Sequence, residues 1–187
     1  MYLNPCVYGA DRAAEVVGEA MARVGFADCW KTIAHRQAEL AERGHRIEFL
    51  ALDLERSASA RVKVYYRHDV IPFEELDTVA SLASHHDSSR AAQVYRLRYG
   101  GGKKIGNFPM TCLAFSGTGR PEHANVYLRL KNSDRASSVP EIMRREGIAR
   151  VPVISGAAKE FLSFRTREPH GPADIGLYMR FPQQSIS

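Results

Sequence analysis

The chain has too few cysteines, and too widely spaced, to build with. Cys6, Cys29 and Cys112 are odd in number and far apart, which excludes a disulfide framework and a CxxC zinc site and fits reduced thiols in a cytoplasmic protein. No run of about 18 apolar residues occurs, so no membrane-spanning helix is predicted. The opening MYLNPCVYGADRAA has no basic stretch leading into an apolar core and does not read as a secretory signal. There is no DDxxD-like acidic cluster of the kind that holds magnesium. The glycine-rich run YGGGKKIG (99–106) lacks the GxxxxGK[ST] pattern and precedes no predicted helix, so it reads as a loop rather than a phosphate cradle. His68, His85, His86 and His123 have no metal-ligand spacing on any one strand or helix, and no metal is expected. The lone tryptophan, Trp30, is assigned to packing.

What is present is globular. At 187 residues and 20.9 kDa the chain suits a single domain, 1–187, or a portion of a longer one, with 44% hydrophobic and 25% charged residues. A net charge of +5 and a pI near 9.2 point to an anionic partner. DRAAEVVGEAMARV (11–24) opens with an Asp N-cap and brings Ala14, Val17, Met21 and Val24 to helical spacing before Gly25. A second helix is predicted over 28–43. IEFLALDL (47–54) and ARVKVYYR (60–67) alternate around a polar turn and read as a hairpin. Helices are predicted at 72–83 and 88–98, a second strand pair at 108–116 and 123–131, helices at 139–146 and 155–159, and a third strand pair at 160–167 and 173–181.

Helices followed by a hairpin therefore recur. The second strand of each hairpin carries a tyrosine with an arginine two positions on: Tyr65 in KVYYR, Tyr127 in NVYLR and Tyr178 in LYMR, with Tyr2 in MYLN as a shorter echo. Successive tyrosines lie 63, 62 and 51 residues apart, about one helix-and-hairpin unit each. Strand alternation puts Val62, Val64, Val126, Leu128, Leu177 and Met179 on one face and Arg61, Lys63, Tyr65, Asn125, Tyr127, Arg129 and Tyr178 on the other. An open sheet with a wetted polar face has this pattern, and so does a barrel with helices outside and a polar lumen. Acids are nearly absent from the polar faces of the three second strands, Asp174 excepted. Arg and Lys supply donors for a phosphate or diphosphate, and tyrosine rings stabilise a nearby cation by roughly 0.5 to 2 kcal/mol each. That combination suits an allylic diphosphate, which ionises to an anion and a carbocation. Asp53 and Glu55 near the hairpin turn could be proposed as a general base, but turn polarity is the simpler explanation.

The segments YLNP…DRAAEVVGEAMARVGF, LDLERSASARVKVYYRH, TCLAFSGTGRPEHANVYLRL and EFLSFRTR…ADIGLYMRF resemble the aromatic prenyltransferases of the dimethylallyltryptophan synthase type, particularly the bacterial indole-prenylating members. The resemblance runs over nearly the whole chain. It implies an α+β fold, an antiparallel β-barrel of roughly ten strands with outer helices, built of repeated αββα units. It also implies transfer of a dimethylallyl group from dimethylallyl diphosphate to an aromatic ring, without an essential metal or other cofactor. Matched to the family's motif, Arg61, Lys63, Tyr65, Asn125, Tyr127 and Tyr178 would bind the diphosphate, Tyr2, Tyr65, Tyr127 and Tyr178 would shield the cation, and Met110 would line the acceptor's pocket.

The departures are as informative. Family members are roughly twice as long, and about three αββα units are counted here, so the chain is expected to be a C-terminal portion forming an incomplete barrel. The family's catalytic base belongs to the N-terminal half, and nothing here replaces it by motif. The expected partners are an allylic diphosphate, an aromatic acceptor, and a complementing polypeptide or second copy to close the barrel, with neither nucleic acid nor membrane. Alone, the chain is expected to be inactive or weakly active. Two competing readings remain: a basic sheet that binds single-stranded nucleic acid, and a folded remnant without activity.

Overall fold

Alternation of apolar and polar residues lays the strands into one sheet with one covered face. The structure, a computed structural model, describes residues 1–53, 60–102, 104–117, 119–130, 138–148, 158–166 and 173–180. Its strands are β1 (Tyr2–Leu3), β2 (His45–Leu52), β3 (Val62–His68), β4 (Ile71–Pro72), β5 (Lys104–Ile105), β6 (Met110–Phe115), β7 (His123–Arg129), β8 (Ala158–Thr166) and β9 (Ala173–Arg180). Its helices are α1 (Ala13–Arg23), α2 (Ala27–Ala34), α3 (Gln37–Glu42), α4 (Ser88–Tyr99) and α5 (Ser138–Arg145). Seven strands form one antiparallel sheet in the order β1-β2-β3-β6-β7-β8-β9, and β4 pairs with β5 separately. The sheet does not close on itself among the described residues: β1 and β9 are its two edges. This is the α+β, incomplete-barrel architecture expected from the sequence.

The helices cover one face. Val62, Val64, Tyr66, Leu113, Phe115, Val126, Leu128, Leu162 and Phe164 point outward from the sheet and are buried with Val17 and Met21 of α1, Trp30 and Ile33 of α2, Val94 and Tyr95 of α4, and Ile142 of α5. At roughly 1.5 to 3 kcal/mol for each large apolar side chain removed from water, this layer supplies most of the driving force for folding. Leu177 of the edge strand β9 packs on the same layer only partly buried.

Three helical predictions change. The helix predicted over 28–43 breaks at His35 and Arg36, where an amide bonds in the tighter 3-10 pattern (Arg36 N–H to Ile33 C=O, 3.1 Å), so α2 and α3 turn separately toward the sheet. The helix predicted over 72–83 is two 3-10 turns, Phe73–Asp77 and Ala80–Leu82, whose amides bond three residues back, Thr78 N–H to Glu75 C=O and Ala83 N–H to Ala80 C=O, each at 3.0 Å. Of the helix predicted at 155–159, Ala158 and Lys159 begin β8, and the rest lies outside the described residues. By contrast α4 begins as its sequence dictates, with the Asp87 carboxylate accepting the Arg90 amide at 3.0 Å, and ends on Gly100 at φ 73°, a left-handed position that glycine adopts without strain.

Candidate functional site: a tyrosine ladder beside a cationic pocket

The uncovered face of the sheet gathers the predicted residues. Tyr2, Tyr65, Tyr127 and Tyr178 come from β1, β3, β7 and β9, and each meets the next in one continuous ladder. Ring centroids are 5.7 Å apart for Tyr2 and Tyr65, 6.2 Å for Tyr65 and Tyr127, and 5.7 Å for Tyr127 and Tyr178, all in tilted or edge-on geometry. The Tyr2 and Tyr65 hydroxyls lie 3.2 Å apart, and Asn125 Nδ2 donates to the Tyr127 hydroxyl at 3.0 Å.

A whole strand separates each ring from its neighbour, and the intervening residue decides whether they can touch. Tyr2 is opposite Ala51, Tyr65 is opposite Cys112, and Tyr127 is opposite Ser163. Each is small and buried, so the rings close over it. Gly176, paired with Ser163, continues the gap: a Cβ there would lie 2.6 Å from Ser163 Oγ and 3.4 Å from the Tyr178 ring. Two residues before each small one stands a large one, Phe49, Met110 and Phe161, paired with Tyr65, Tyr127 and Tyr178 respectively. With the four tyrosines these line an apolar cavity of about 370 Å³. Met110 was read from the sequence; Phe49 and Phe161 were not. Their signal was the repeat EFLA (48–51) and EFLS (160–163), with PMTC (109–112) between them.

Simple alternation hides Phe49, because it places Ile47 and Phe49 on the same face. A bulge at Glu48 puts Ile47 opposite Tyr66 in the core and Phe49 opposite Tyr65 on the lumen face. A second bulge, at Glu160, precedes Phe161 in the same way.

Beside the aromatic cavity lies a polar one of about 260 Å³, lined among others by Arg61, Lys63, His123, Asn125 and Arg165. Arg61 and Lys63 face it as predicted, yet they share a counter-ion. Lys63 Nζ donates to Asp53 Oδ1 at 2.7 Å and Arg61 Nε donates to Asp53 Oδ2 at 3.0 Å. The hydrogen bond from Lys63, with that from Arg61, holds the Asp53 carboxyl below the usual range despite some opposing burial. A carboxylate so stabilised is a poor base, in keeping with the simpler reading of Asp53 as part of a polar turn; Glu55 lies outside the described residues. Arg165, which sequence reasoning passed over, is paired with Asp174 on the neighbouring strand. Arg129 lies over the Phe161 ring at 5.1 Å.

Burial raises the pKa of the Tyr65 and Tyr127 hydroxyls, with the Cys112 thiol adding to it, and burial pushes Cys112 itself up to about 12. These groups are therefore neutral at physiological pH, donors rather than anions. His85 and His86 separate in role: His86 Nε2 lies 2.7 Å from Asp77, whereas His85 meets His123, ring centroids 5.0 Å apart. Trp30 is buried in the core, as assigned.

No family model matches the sequence. Solved structures do match. 6-Dimethylallyltryptophan synthase from Micromonospora olivasterospora, in complex with DMASPP and Trp, is 21% identical with a TM-score of 0.76, over 95% of this chain and 56% of its own. 5-Dimethylallyltryptophan synthase from Streptomyces coelicolor is 22% identical with a TM-score of 0.73, over 96% of this chain and 55% of its own. The prenyltransferase PriB, in a ternary complex with L-tryptophan and dimethylallyl thiolodiphosphate, is 21% identical with a TM-score of 0.72, over 95% and 54%. The chain thus has the fold of the dimethylallyltryptophan synthases and spans a little over half the length of each of these structures.

Proposed function

We propose that the chain forms the diphosphate-binding and cation-shielding part of an aromatic prenyltransferase, the C-terminal portion of its barrel, acting on dimethylallyl diphosphate and an indole such as tryptophan. The observation that carries this reading is the junction of two cavities, an aromatic one walled by four tyrosines and a polar one holding Arg61, Lys63 and Arg165. The complexes of the similar structures with tryptophan and a dimethylallyl diphosphate analogue support it.

In this reading the allylic C–O bond breaks and its electron pair leaves with the diphosphate. Lys63, Arg61 and the neutral tyrosine hydroxyls stabilise the growing negative charge, so the step needs no catalytic metal. The allyl cation faces the tyrosine rings, which attract it without reacting. An indole carbon attacks, a C–C bond forms, and the ring proton passes to a base that the family resemblance assigns to the N-terminal half of the barrel. Binding of the diphosphate must loosen Asp53 from Lys63 and Arg61, because both cations are engaged in its absence.

The nucleic-acid reading loses support because Arg61, Lys63 and Arg165 sit in a concavity with carboxylate partners rather than along an open basic stripe. Among the described residues seven strands leave the lumen open, with Tyr2 67% and Tyr178 48% exposed, and water there would capture an allyl cation. Closure by further strands, from a complementing polypeptide or a second copy, is therefore part of the proposal.

The test is binding and turnover measured separately. Calorimetry should show the purified chain binding inorganic pyrophosphate, with Lys63→Ala weakening it by roughly 10- to 100-fold, the loss of one charge-assisted bond. Alkylation of tryptophan should be weak or absent until the barrel is closed. Equal pyrophosphate affinity in the variant would remove Lys63 from the site, and robust alkylation by the chain alone would refute the need for closure.

A further inference from the structure

We propose that His85, Glu122 and His123 form a binding site for a divalent transition-metal ion of the zinc type, at the rim of the lumen where the loop after the second 3-10 turn meets β7. One ligand atom from each of the three residues lies within 4.8 Å of the other two. A tetrahedral zinc site with bonds of about 2.1 Å needs ligand atoms about 3.4 Å apart, so a small side-chain rotation closes the set. Two imidazoles and a carboxylate are the donor types borderline-soft divalent ions prefer, and three protein ligands leave a fourth position for water or an anion's oxygen.

The backbone holds the histidines in place. Ser84 N–H donates to Pro121 C=O at 2.9 Å and His85 N–H to Glu122 C=O at 3.0 Å, which lays the loop against the start of β7. On the other side, Thr166 Oγ1, itself buried, donates to His85 C=O at 2.7 Å. Glu122 is oriented by a hydrogen bond from Ser116 Oγ, the outer-shell support that carboxylate ligands characteristically have. A second observation points to a ligand: the Nδ1 atoms of both His85 and His123 are buried and have no hydrogen-bond partner among the described residues. Buried imidazole nitrogens are ordinarily paired, and a coordinated ion would satisfy them.

The surrounding charge does not oppose a cation as strongly as the nearby arginines suggest. Arg61 is paired with Asp53 and Arg165 with Asp174. His86 does not compete, being engaged with Asp77. His123 also lines the polar cavity, so the ion would sit beside the anion site while tying loop to strand. Ligand spacing in the sequence concealed the cluster because His85 and His123 come from segments that only the fold brings together.

The experiment uses the full chain freed of metal by chelation and no prenyl substrate, so its outcome is independent of the proposed transferase activity. Zinc affinity and stoichiometry are measured by competition with a chromophoric chelator, and Co²⁺ is added to read coordination from its visible absorption bands. One ion should bind per chain, and zinc should raise the melting temperature. His85→Ala and His123→Ala should each weaken binding by at least about tenfold and Glu122→Gln by about tenfold, while His35→Ala, an exposed control, changes nothing. His123→Ala alters a strand and is checked by circular dichroism; His85→Ala alters only a loop and carries the test if the other fails to fold. Absence of saturable one-to-one binding, or binding unchanged in His85→Ala, would overturn the site.

Discussion

Asp53 accepts hydrogen bonds from two cations of the polar cavity at once. Its carboxylate occupies the donors of Lys63 and Arg61, so an incoming anion competes with it directly. Asp53→Asn should tighten pyrophosphate binding several-fold in calorimetry. The stability cost should be at most about 1 kcal/mol, because the pairs are partly exposed and solvent screens them. Weaker pyrophosphate binding in Asp53→Asn would show instead that the carboxylate positions the cations. Cys112 makes a steric argument at the same scale. Its side chain is small and buried beneath Tyr65 and Tyr127, and Cys112→Leu should push those rings apart at a cost of about 1 to 3 kcal/mol by urea denaturation. A neutral substitution would mean that the ladder does not depend on that gap.

At the level of elements, the strands carry two kinds of information. Their outward residues build the core, and two of these are histidines. His45 and His68 are buried in β2 and β3 with their Nδ1 atoms 2.9 Å apart, and His68 Nε2 is 2.8 Å from Thr111 Oγ1. Burial, with the His45 charge nearby, lowers the His68 pKa to about 3, and burial lowers that of His45 too. The folded state keeps the His68 ring neutral well below pH 6.5, the range in which the unfolded chain takes up a proton there. For His68 the contribution is therefore complete above about pH 6.5 and is lost as pH falls toward 3, at roughly 1.4 kcal/mol per pH unit between those values. Urea midpoints between pH 7.5 and 5 should fall for the native chain and fall less for His68→Gln. Parallel acid limbs would show that carboxylates elsewhere cause the loss. Much of the element plan was legible: the three hairpins and α4 follow from alternation and capping that local chemistry enforces. The bulges at Glu48 and Glu160 were not, because an extra residue is stabilised by the partner strand rather than by its own sequence.

For the whole molecule the open sheet dominates. β1 and β9 present unpaired edges among the described residues, and Tyr2, Phe49 and Tyr178 leave apolar area exposed in the lumen. The isolated chain should self-associate with rising concentration in sedimentation velocity, and a polypeptide supplying the closing strands should suppress this. A strictly monomeric chain up to high concentration would overturn this expectation.

The sequence by itself determined the two faces of the sheet, the tyrosine repeat and the placement of Arg61, Lys63, Asn125 and Met110 on the lumen side, because a period of two is local and survives any register. Only the tertiary structure decided what those residues meet. Asp53 on the cations, Ala51, Cys112 and Ser163 beneath the rings, and His85 beside His123 depend on register, bulges and loop docking. Those are set by long-range packing, which no window of sequence contains.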